Sequence, residues 1–579
     1  METNSIRKLK LENLLDPRLE CMEYAQKDLK WGILKGAEGQ NFVQQQANSY
    51  STAGATWNFN TQSENVLISR NMYARVQFQV TLVGKAPAGQ PLLSTETDAP
   101  RAFPLASISN SLKVTINGQS IETQYSDCLQ ALLRYNLSDE CLEHDLSQTP
   151  HVLDKSQRYQ DLVGSVRNPL SSYANNSYET GRGAFQLDSL VNPVGVGILA
   201  GDASVTAIAT FTVCEPLFIS PMLFKQNDLQ SALIGVKNMG VQFSFDAGRL
   251  DRVWSHAGGN NVTFSSVTTQ IGAGTTAPPQ LLVNYLTSPL VDINQIPKTI
   301  NYQYYKADTF VNDMNTTLAP LVTQSFTNNS IQLSTVPKSI YIYACRPNAS
   351  KTYLTTDTFH RISSLSLNFL NVSGQFSSMS PNDLYNMSRK NGCNLSFQEW
   401  NGSTFDITSN SSYGLTGSVL KIDCSDLHIP SNVASGMNMN SQLSYTVGLQ
   451  NVNRVDTLGV QLVTVCIYDG LMTIDNFNMN TQVGVIDSQD VIVTRRSPQF
   501  MDYHISGALY GGNMFSDVAH LFQKPVNIAK KAIETGSKTK DAVDSALELK
   551  KMVGLGKAGG ALVGGRKMTR QQLKAQMFD

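Results

Sequence analysis

Apolar and polar residues alternate with a period of two in many short segments of this chain. Between 74 and 82 every even position is apolar, while Arg75, Gln77, Gln79 and Thr81 occupy the odd ones. This period places one set of side chains on each face of a β-strand, so the segment is predicted to be half-buried. Further strands are predicted at 206–213, 241–245, 340–345, 364–369, 460–468 and 491–494.

Turn and capping residues separate these strands. The Asn-Gly pair at 117–118 lies between apolar residues and predicts a tight β-hairpin. Asp127 is placed to begin a short helix. Ser380 suits the N-cap of another helix, Pro381 its first position, and Gly392 its end.

The strands fall into two blocks of similar size, separated by a segment rich in Gly, Ser and Thr. Each block suits an antiparallel β-sandwich with long loops. The pattern leaves jelly-roll, immunoglobulin-like and lectin-like sandwiches open. The predicted organisation is an N-terminal arm at 1–45, a first sandwich at 46–255, a linker or long loop at 256–280, a second sandwich at 281–500, and an amphipathic, Gly-rich basic tail at 501–579.

The charge of the chain is low and unevenly distributed. Only 16% of the residues are charged, against about 25% in ordinary soluble domains. Neutral polar surfaces cost less to desolvate than charged ones, which favours burial against neighbouring molecules. The net charge is −1, yet residues 524–579 carry 12 Lys or Arg and 5 Asp or Glu, a balance of +7. The tail is therefore predicted to bind a partner, namely an inner shell surface, nucleic acid or a membrane.

The cysteines and the N-terminus bear on the cellular compartment. None of the eight Cys forms a C-x-x-C pair, which favours buried free thiols in a reducing compartment such as the cytoplasm or nucleus. The first eleven residues lack the apolar core of a signal peptide. No apolar run reaches the roughly 18 residues of a membrane-spanning helix.

Catalytic, metal-binding and cofactor motifs are not recognisable in the sequence. None of the seven His has a metal-ligand or triad partner at a familiar spacing. The letters G-x-G-x-x-G occur at 554–559 without the strand and helix that a dinucleotide site requires. The sequence predicts a non-enzymatic protein without cofactor or metal. A sandwich glycosidase with two facing carboxylates stays an alternative.

Three regions resemble hexon-like double jelly-roll major capsid proteins of the polinton-like virus, virophage and adintovirus kind. The first is PLFISP at 216–221, followed by LIGVKNM at 233–239. The second is LSTVPKSIYI at 333–342. The third combines 365–369, Ser-Gly at 373–374, DLYNMS at 383–388 and Asn-Gly at 391–392.

The resemblance implies an all-β fold of two consecutive eight-stranded jelly rolls. It implies a homotrimer, shaped as a pseudo-hexagonal capsomer, that tiles the icosahedral shell of a DNA virus beside penton or minor capsid proteins. Loops such as 258–279 are then expected in an outer tower. From the residues alone, a receptor- or glycan-binding sandwich of the fibre or lectin type remains the alternative function.

The tail carries two motifs that resemble the cleavage sites of an adenovirus-like maturation protease. That protease type favours a large apolar residue, any residue, then Gly-Gly. The first motif contains Leu509, Gly511 and Gly512 before Asn513, and the second contains Leu562, Gly564 and Gly565 before Arg566. Cleavage after Gly512 would release a basic, amphipathic peptide able to act on a membrane or bind the genome.

Overall fold

The structure is a computed structural model, and the chain divides into two compact units, 1–505 and 506–579. The residues that it describes are 39–61, 67–95, 97–136, 149–159, 182, 185–222, 232–258, 261–272, 276–287, 299–370, 372–406, 411–427, 438–475, 478–483, 562–563 and 566–567.

The described chain consists mainly of antiparallel strands. The first half contains β1 (Gly39–Gln46), β2 (Ser49–Ser51), β3 (Gly54–Asn60), β4 (Leu67–Ser69), β5 (Tyr73–Lys85), β6 (Asp98–Pro100), β7 (Ser109–Ile116), β8 (Gln119–Gln124), β9 (Leu187–Val191), β10 (Val205–Pro216), β11 (Ala232–Leu233), β12 (Asn238–Phe245), β13 (Trp254–His256), β14 (Thr263–Ile271) and β15 (Gln280–Thr287). The second half contains β16 (Thr299–Leu318), β17 (Thr323–Thr327), β18 (Ile331–Thr335), β19 (Ser339–Cys345), β20 (Arg361–Phe369), β21 (Val372–Gln375), β22 (Ser403–Asp406), β23 (Ser411–Gly414), β24 (Val419–Asp423), β25 (Asn438–Gln450), β26 (Leu458–Asp475) and β27 (Asn478–Val483). In the second unit, β28 (Leu562–Val563) pairs with β29 (Arg566–Lys567).

Few helices interrupt the strands. They are α1 (Pro104–Ile108), α2 (Tyr125–Asn136), α3 (Pro381–Lys390) and α4 (Phe397–Asn401), with 3-10 turns at Ala247–Val253, Asn348–Ser350 and Cys424–Leu427.

The two halves share one strand order. In the first half, one sheet contains the order β1-β15-β5-β10 and the other contains β3-β12-β7-β8. In the second half, one sheet has the order β16-β26-β19-β24. In the sheet that faces it, β25 pairs with β20 on one side and with both β17 and β18 on the other, and β21 pairs with β20. Eight strands of each half can be numbered along the chain if β14 and β15 count as one strand and β17 and β18 as another. The additional strands β2, β4, β6, β9, β11, β13, β22, β23 and β27 are left out of this numbering. Both halves then read 1-8-3-6 in one sheet and 2-7-4-5 in the other. This connectivity is that of an eight-stranded jelly roll, so the chain contains two consecutive jelly rolls.

Each jelly roll closes around an apolar core to which the other half also contributes, with Tyr302 in the first core and Tyr135 in the second. In β5 the burial alternates strictly, and Phe78, Val80 and Leu82 are fully buried against the facing sheet. In β19 all seven residues are buried, because this strand is covered on both faces. The burial of β5 confirms the period-two interpretation at 74–82, whereas β19 departs from it, since the residues predicted on its outer face are buried as well.

The predicted local signals are present as well. Asn117 and Gly118 both have positive φ and connect β7 to β8, as the Asn-Gly pair predicted. Asp127 does not begin α2 as predicted: the helix begins two residues earlier, at Tyr125, and Asp127 lies in its first turn. Ser380 caps α3 and exchanges hydrogen bonds with Asp383 in a capping box.

The strand pairing differs from the sequence interpretation at two places. The arm predicted at 1–45 includes most of β1, which pairs along its whole length with β15. The linker predicted at 256–280 includes β14, which pairs with β5. Together β14 and β15 lie end to end along β5 and form the interrupted eighth strand. Residues 263–271 are therefore part of a sheet, and the expectation of a tower loop at 258–279 is corrected.

Other predictions concern residues outside the described ones. They are the strand at 491–494, the helical segments of the tail and the Gly-rich sequence at 554–559.

Candidate functional site

The junction between the two jelly rolls contains a cluster of buried ionic side chains. Arg101 follows β6, and Arg252 lies in the 3-10 turn before β13. Asp154 lies between β8 and β10, whereas Asp357 comes from the connection between β19 and β20. All four residues are at least nine-tenths buried. The two arginines of the first jelly roll therefore meet an aspartate of the second one inside the molecule.

Four ion pairs hold this cluster together, and three of them are short. Arg101 Nη1 lies 2.9 Å from Asp357 Oδ2 and 3.4 Å from Asp154 Oδ2. Arg252 donates to the other oxygen of Asp357. Arg182 Nη1 lies 2.6 Å from Asp154 Oδ1. Each carboxylate thus contacts two guanidinium groups, and Asp357 links the two halves of the chain.

Hydrogen bonds to the backbone complete the cluster. Arg101 donates to the carbonyl oxygens of Arg252 at 2.8 Å and Thr355 at 2.9 Å. Arg134 donates to the carbonyl oxygens of Asp154 and Asp357. The bonds from Arg101 to Thr355 and from Arg134 to Asp357 cross between the jelly rolls, so they fix the backbone of one against the other.

The protonation of the cluster follows from its surroundings. Burial alone would raise the pKa of Asp357, but Arg252 and Arg101 hold it well below its usual range. Burial opposes ionisation of Asp154 in the same way, and Arg182 and Arg101 lower its pKa. Both carboxylates are therefore ionised at neutral pH, and the cluster acts as a structural bridge.

A different environment surrounds Glu215, the next-to-last residue of β10. Its carboxylate accepts hydrogen bonds from the backbone N–H groups of Leu105, at 2.7 Å, and Ala106, at 3.0 Å. Burial raises the pKa of Glu215 to about 8, and these two hydrogen bonds offset only part of that rise. Glu215 therefore carries its proton through much of the neutral range.

Asp98 and His256 form a second buried pair, which the sequence did not reveal. His256 Nδ1 lies 2.8 Å from Asp98 Oδ1, which also accepts a hydrogen bond from Trp254 Nε1 at 3.2 Å. The residues are 158 positions apart, so no motif spacing could reveal them. The neighbouring Ser255 hydroxyl donates to the carbonyl of Ala99. The pair joins β6 to β13 inside the protein.

The described residues offer little else that resembles reactive chemistry. They contain no group of three His, Cys, Asp or Glu arranged to hold a metal ion. Their six cysteines are free thiols, five of them buried. Burial raises the pKa of Cys128 to about 12, which keeps this thiol protonated. Across the same residues, no helix is long and apolar enough to cross a bilayer.

The predicted cleavage motifs lie almost wholly outside the described residues. Leu509, Gly511, Gly512 and Asn513 are outside them, as are Gly564 and Gly565. Leu562 begins β28 and Arg566 begins β29. In the pairing of these two short strands, Val563 lies opposite Arg566.

Comparison of the sequence with known proteins gives matches over most of the chain. Residues 15–286 match the family described as "Sputnik virophage major capsid protein 1st domain". Residues 305–470 match "Major capsid protein V20 C-terminal domain". The "Putative capsid protein V20" of Sputnik virophage is 26% identical over 611 aligned positions, which cover 99% of this chain and 100% of the relative. The chain belongs to the hexon-like double jelly-roll major capsid proteins of the virophage type.

Solved structures agree with this assignment of the major capsid protein. A chain in the cryo-EM structure of the Sputnik virophage is 25% identical and superposes with a TM-score of 0.70, covering 82% of this chain and 94% of the other. The mavirus major capsid protein has the same fold at 16% identity, with a TM-score of 0.62, covering 83% and 97%. The resemblance drawn from the sequence is thereby confirmed. The protein is a structural component of the virion capsid.

Proposed function

We propose that this major capsid protein assembles as a homotrimer that forms a pseudo-hexagonal capsomer and tiles an icosahedral DNA-virus shell. The observation that carries the proposal is the repeated strand order 1-8-3-6 and 2-7-4-5. Three chains with two similar jelly rolls each supply six similar sandwiches, which suits hexagonal packing.

The buried ionic cluster supports this role because it holds the two jelly rolls in one orientation. A capsomer can tile a surface only if its lobes keep a constant angle. Arg101 and Arg252 both contact Asp357 across the junction.

We place the boundary between the two domains at 288–298, between the end of β15 and the start of β16.

The oligomeric state of the full chain tests this proposal. We expect the purified protein to have the mass of a trimer in light scattering and native mass spectrometry. Negative-stain images should show hexagonal rings and, at high concentration, closed particles. A stable monomer that does not associate at any concentration contradicts the proposal.

We also propose that maturation removes part of the tail after Gly512 or Gly565, and that the basic tail contacts the genome or a membrane. The positive balance of residues 524–579 supports contact with an anionic partner. The free thiols of the described residues support assembly in a reducing compartment of the host, with penton or minor capsid proteins as neighbours.

Mass spectrometry of purified particles tests the processing. We expect fragments that end at Gly512 or Gly565, and Gly512→Val should abolish the first of them. If every copy in the particle keeps its C-terminus at Asp579, the processing proposal is wrong, and the assembly proposal is unaffected.

A further inference from the structure

A cluster of exposed apolar side chains lies in the long connection between β8 and β10. Its members, here called the first apolar cluster, are Val191, Val194, Val196, Ile198 and Leu199, with exposed fractions of 56%, 57%, 56%, 45% and 72%. Soluble proteins seldom gather so many exposed branched side chains within nine residues unless another molecule covers them.

The backbone beneath this cluster is held firmly. Gly195 donates to the carbonyl of Gln90 at 2.8 Å and accepts from the N–H of Gly89 at 3.0 Å. Pro193 accepts from Leu92 at 3.0 Å, and Lys85 Nζ donates to the carbonyl of Leu199 at 2.8 Å. The apolar side chains are thus presented by an ordered segment, which lowers the entropy cost of binding.

Two glycines explain why the valines face outward. A Cβ atom at Gly195 would overlap the carbonyl oxygen of Ala86, and one at Gly197 would overlap the carboxylate of Asp202. Only glycine fits at these two inner positions, and the neighbouring Val194 and Val196 occupy the outer ones. An ordinary surface strand places apolar residues inward, and this segment has the reverse pattern.

The adjoining strand also leaves an edge open. β9 pairs with β10, and within the described residues no strand lies on its other side. In the second jelly roll β24 is the counterpart of β10, and α3 packs beside it where β9 lies in the first; Asn391, which follows α3, donates from Nδ2 to the carbonyl of Lys421 at 3.0 Å. Open edges are normally protected in native proteins. The open edge of β9 is therefore available, together with the apolar cluster that follows it, for contact with another molecule.

The second jelly roll carries another group of exposed apolar residues. This second apolar cluster contains Leu321, Val322, Phe405 and Val455, with exposed fractions of 50%, 46%, 59% and 60%. Leu321 donates to the carbonyl of Asn451, which leads to Val455. Arg454 Nη1 donates to the carbonyl of Ser412, which pairs with Phe405. These bonds place the cluster members on adjacent turns.

Both clusters lie at the same end of the molecule. In a jelly roll the connections 1–2, 3–4, 5–6 and 7–8 share one end, because successive strands run in alternating directions. The first cluster belongs to connection 5–6, and the second belongs to connections 1–2, 5–6 and 7–8. The ionic cluster joins these same ends of the two jelly rolls, since Arg101 and Asp357 both lie in connections 3–4.

We propose that the first apolar cluster docks on the second apolar cluster of a neighbouring copy of this chain in the trimer. In a closed ring each copy must present two different, complementary surfaces, one to each neighbour. The chain presents one ordered apolar cluster on each jelly roll, at matching ends. This inference rests on the proposed self-assembly and names the surfaces that perform it.

Charged substitutions in the full chain test this contact. Val196→Asp and Val455→Asp each place a carboxylate in the contact and should raise the dissociation constant of the trimer about tenfold or more. Val372→Asp is the matched control, because Val372 is 54% exposed and lies beside connection 4–5 at the opposite end. The control should leave the dissociation constant within about twofold of wild type. Native mass spectrometry measures all three, and circular dichroism checks that each variant folds.

Two double variants distinguish a direct contact from a general loss of stability. Val196→Lys with Val455→Asp in one chain should recover part of the trimer lost by either charge, because the proposed contact between the two clusters brings opposite charges together between copies. After oxidation with added oxidised glutathione, Val196→Cys with Val455→Cys should give disulfide-linked dimers and trimers on non-reducing gels, and neither single cysteine should.

The outcomes separate this inference from the proposed function. If Val196→Asp and Val455→Asp stay trimeric and the cysteine pair does not cross-link, the placement is wrong although assembly stands. Intact trimers that fail only to form particles also contradict it, since the contact would then lie between capsomers. If the wild-type chain itself is monomeric, both proposals fail.

Discussion

At the scale of single residues, the protein uses buried charge in two ways. Asp357 is ionised because Arg252 and Arg101 hold its pKa down despite burial. Among the residues that the structure describes, no cation offsets the effect of burial on Glu215, and burial raises the pKa of this carboxyl group to about 8. The carboxylate of Asp357 therefore links the two domains as an ion, whereas the carboxyl group of Glu215 keeps its proton.

Asp357→Asn should destabilise the protein strongly. The change leaves Arg101 and Arg252 buried beside a neutral amide, and breaking a buried ion pair costs about 3–5 kcal/mol. Urea unfolding at pH 7 measures the loss. Asp308→Asn is the control, because Asp308 pairs with Lys306 at the surface and such a pair contributes at most about 1 kcal/mol. Equal effects of the two substitutions would contradict the structural role of the cluster.

The pH dependence of this contribution has a definite sign. Because the folded-state pKa of Asp357 is lowered, its stabilisation is complete above the unfolded-state value of about 4. It is lost as the pH falls below that value. Wild type should lose stability on acidification in this range, and Asp357→Asn should lose less.

Glu215 predicts the opposite dependence. Its folded-state pKa is raised to about 8, so its stabilisation is present below about pH 4.5 and is lost as the pH rises towards 8. Glu215→Gln keeps an acceptor for Leu105 and Ala106 while removing the titration. The free energy of unfolding of wild type should therefore fall between pH 5 and 8 relative to that of the variant. Glu122→Gln, at an exposed position, should follow wild type; identical profiles for Glu215→Gln and wild type would refute the assignment.

At the scale of elements, the edges of the first jelly roll depend on strands that look dispensable in the sequence. β1 has a polar composition, and Phe42 is 71% exposed, yet every residue from Gly39 to Gln46 has a partner in β15. β14 is rich in Thr and Ser but completes the sheet beside β5. Backbone pairing, and not apolar periodicity, places both strands in the fold.

Truncation tests the role of β1. The free energy of unfolding of a chain that begins at residue 47 should be at least about 3 kcal/mol lower than that of a chain that begins at residue 39. The shorter chain loses eight paired positions and opens the edge of β15. Chemical denaturation of the two truncated chains measures the difference, and their comparison cancels any effect of residues 1–38. Equal stability would show that the first jelly roll closes without β1.

At the scale of the whole molecule, stability and assembly should be coupled. The exposed apolar clusters contribute little to the isolated chain, and their burial between copies stabilises the folded state by mass action. The melting temperature of wild type should therefore rise with protein concentration. Val196→Asp should reduce this rise while leaving the melting temperature at the lowest concentrations unchanged. Differential scanning fluorimetry over a hundredfold concentration range measures both, and a concentration-independent wild type would contradict the coupling.

Much of the architecture could be predicted from local sequence. The alternation at 74–82, the Asn-Gly pair before Gln119 and the cap at Ser380 each became the expected strand, hairpin or helix. These signals depend on residues only a few positions apart, so they can be recognised without knowledge of the fold. Family resemblance then distinguished a jelly roll from other sandwiches, which periodicity alone left open.

The sequence by itself thus determined the strand-rich character, the division into two sandwiches and the capsid family, because these depend on short-range patterns. Tertiary structure alone decided that β1 and β14 belong to the first sheet, that Asp357 joins Arg101 across 256 positions, and that Gly195 turns its neighbouring valines outward. The physical reason is the same in each case. Strand partners, ion pairs and steric limits are set by residues far apart in the chain, and only folding brings them within contact distance.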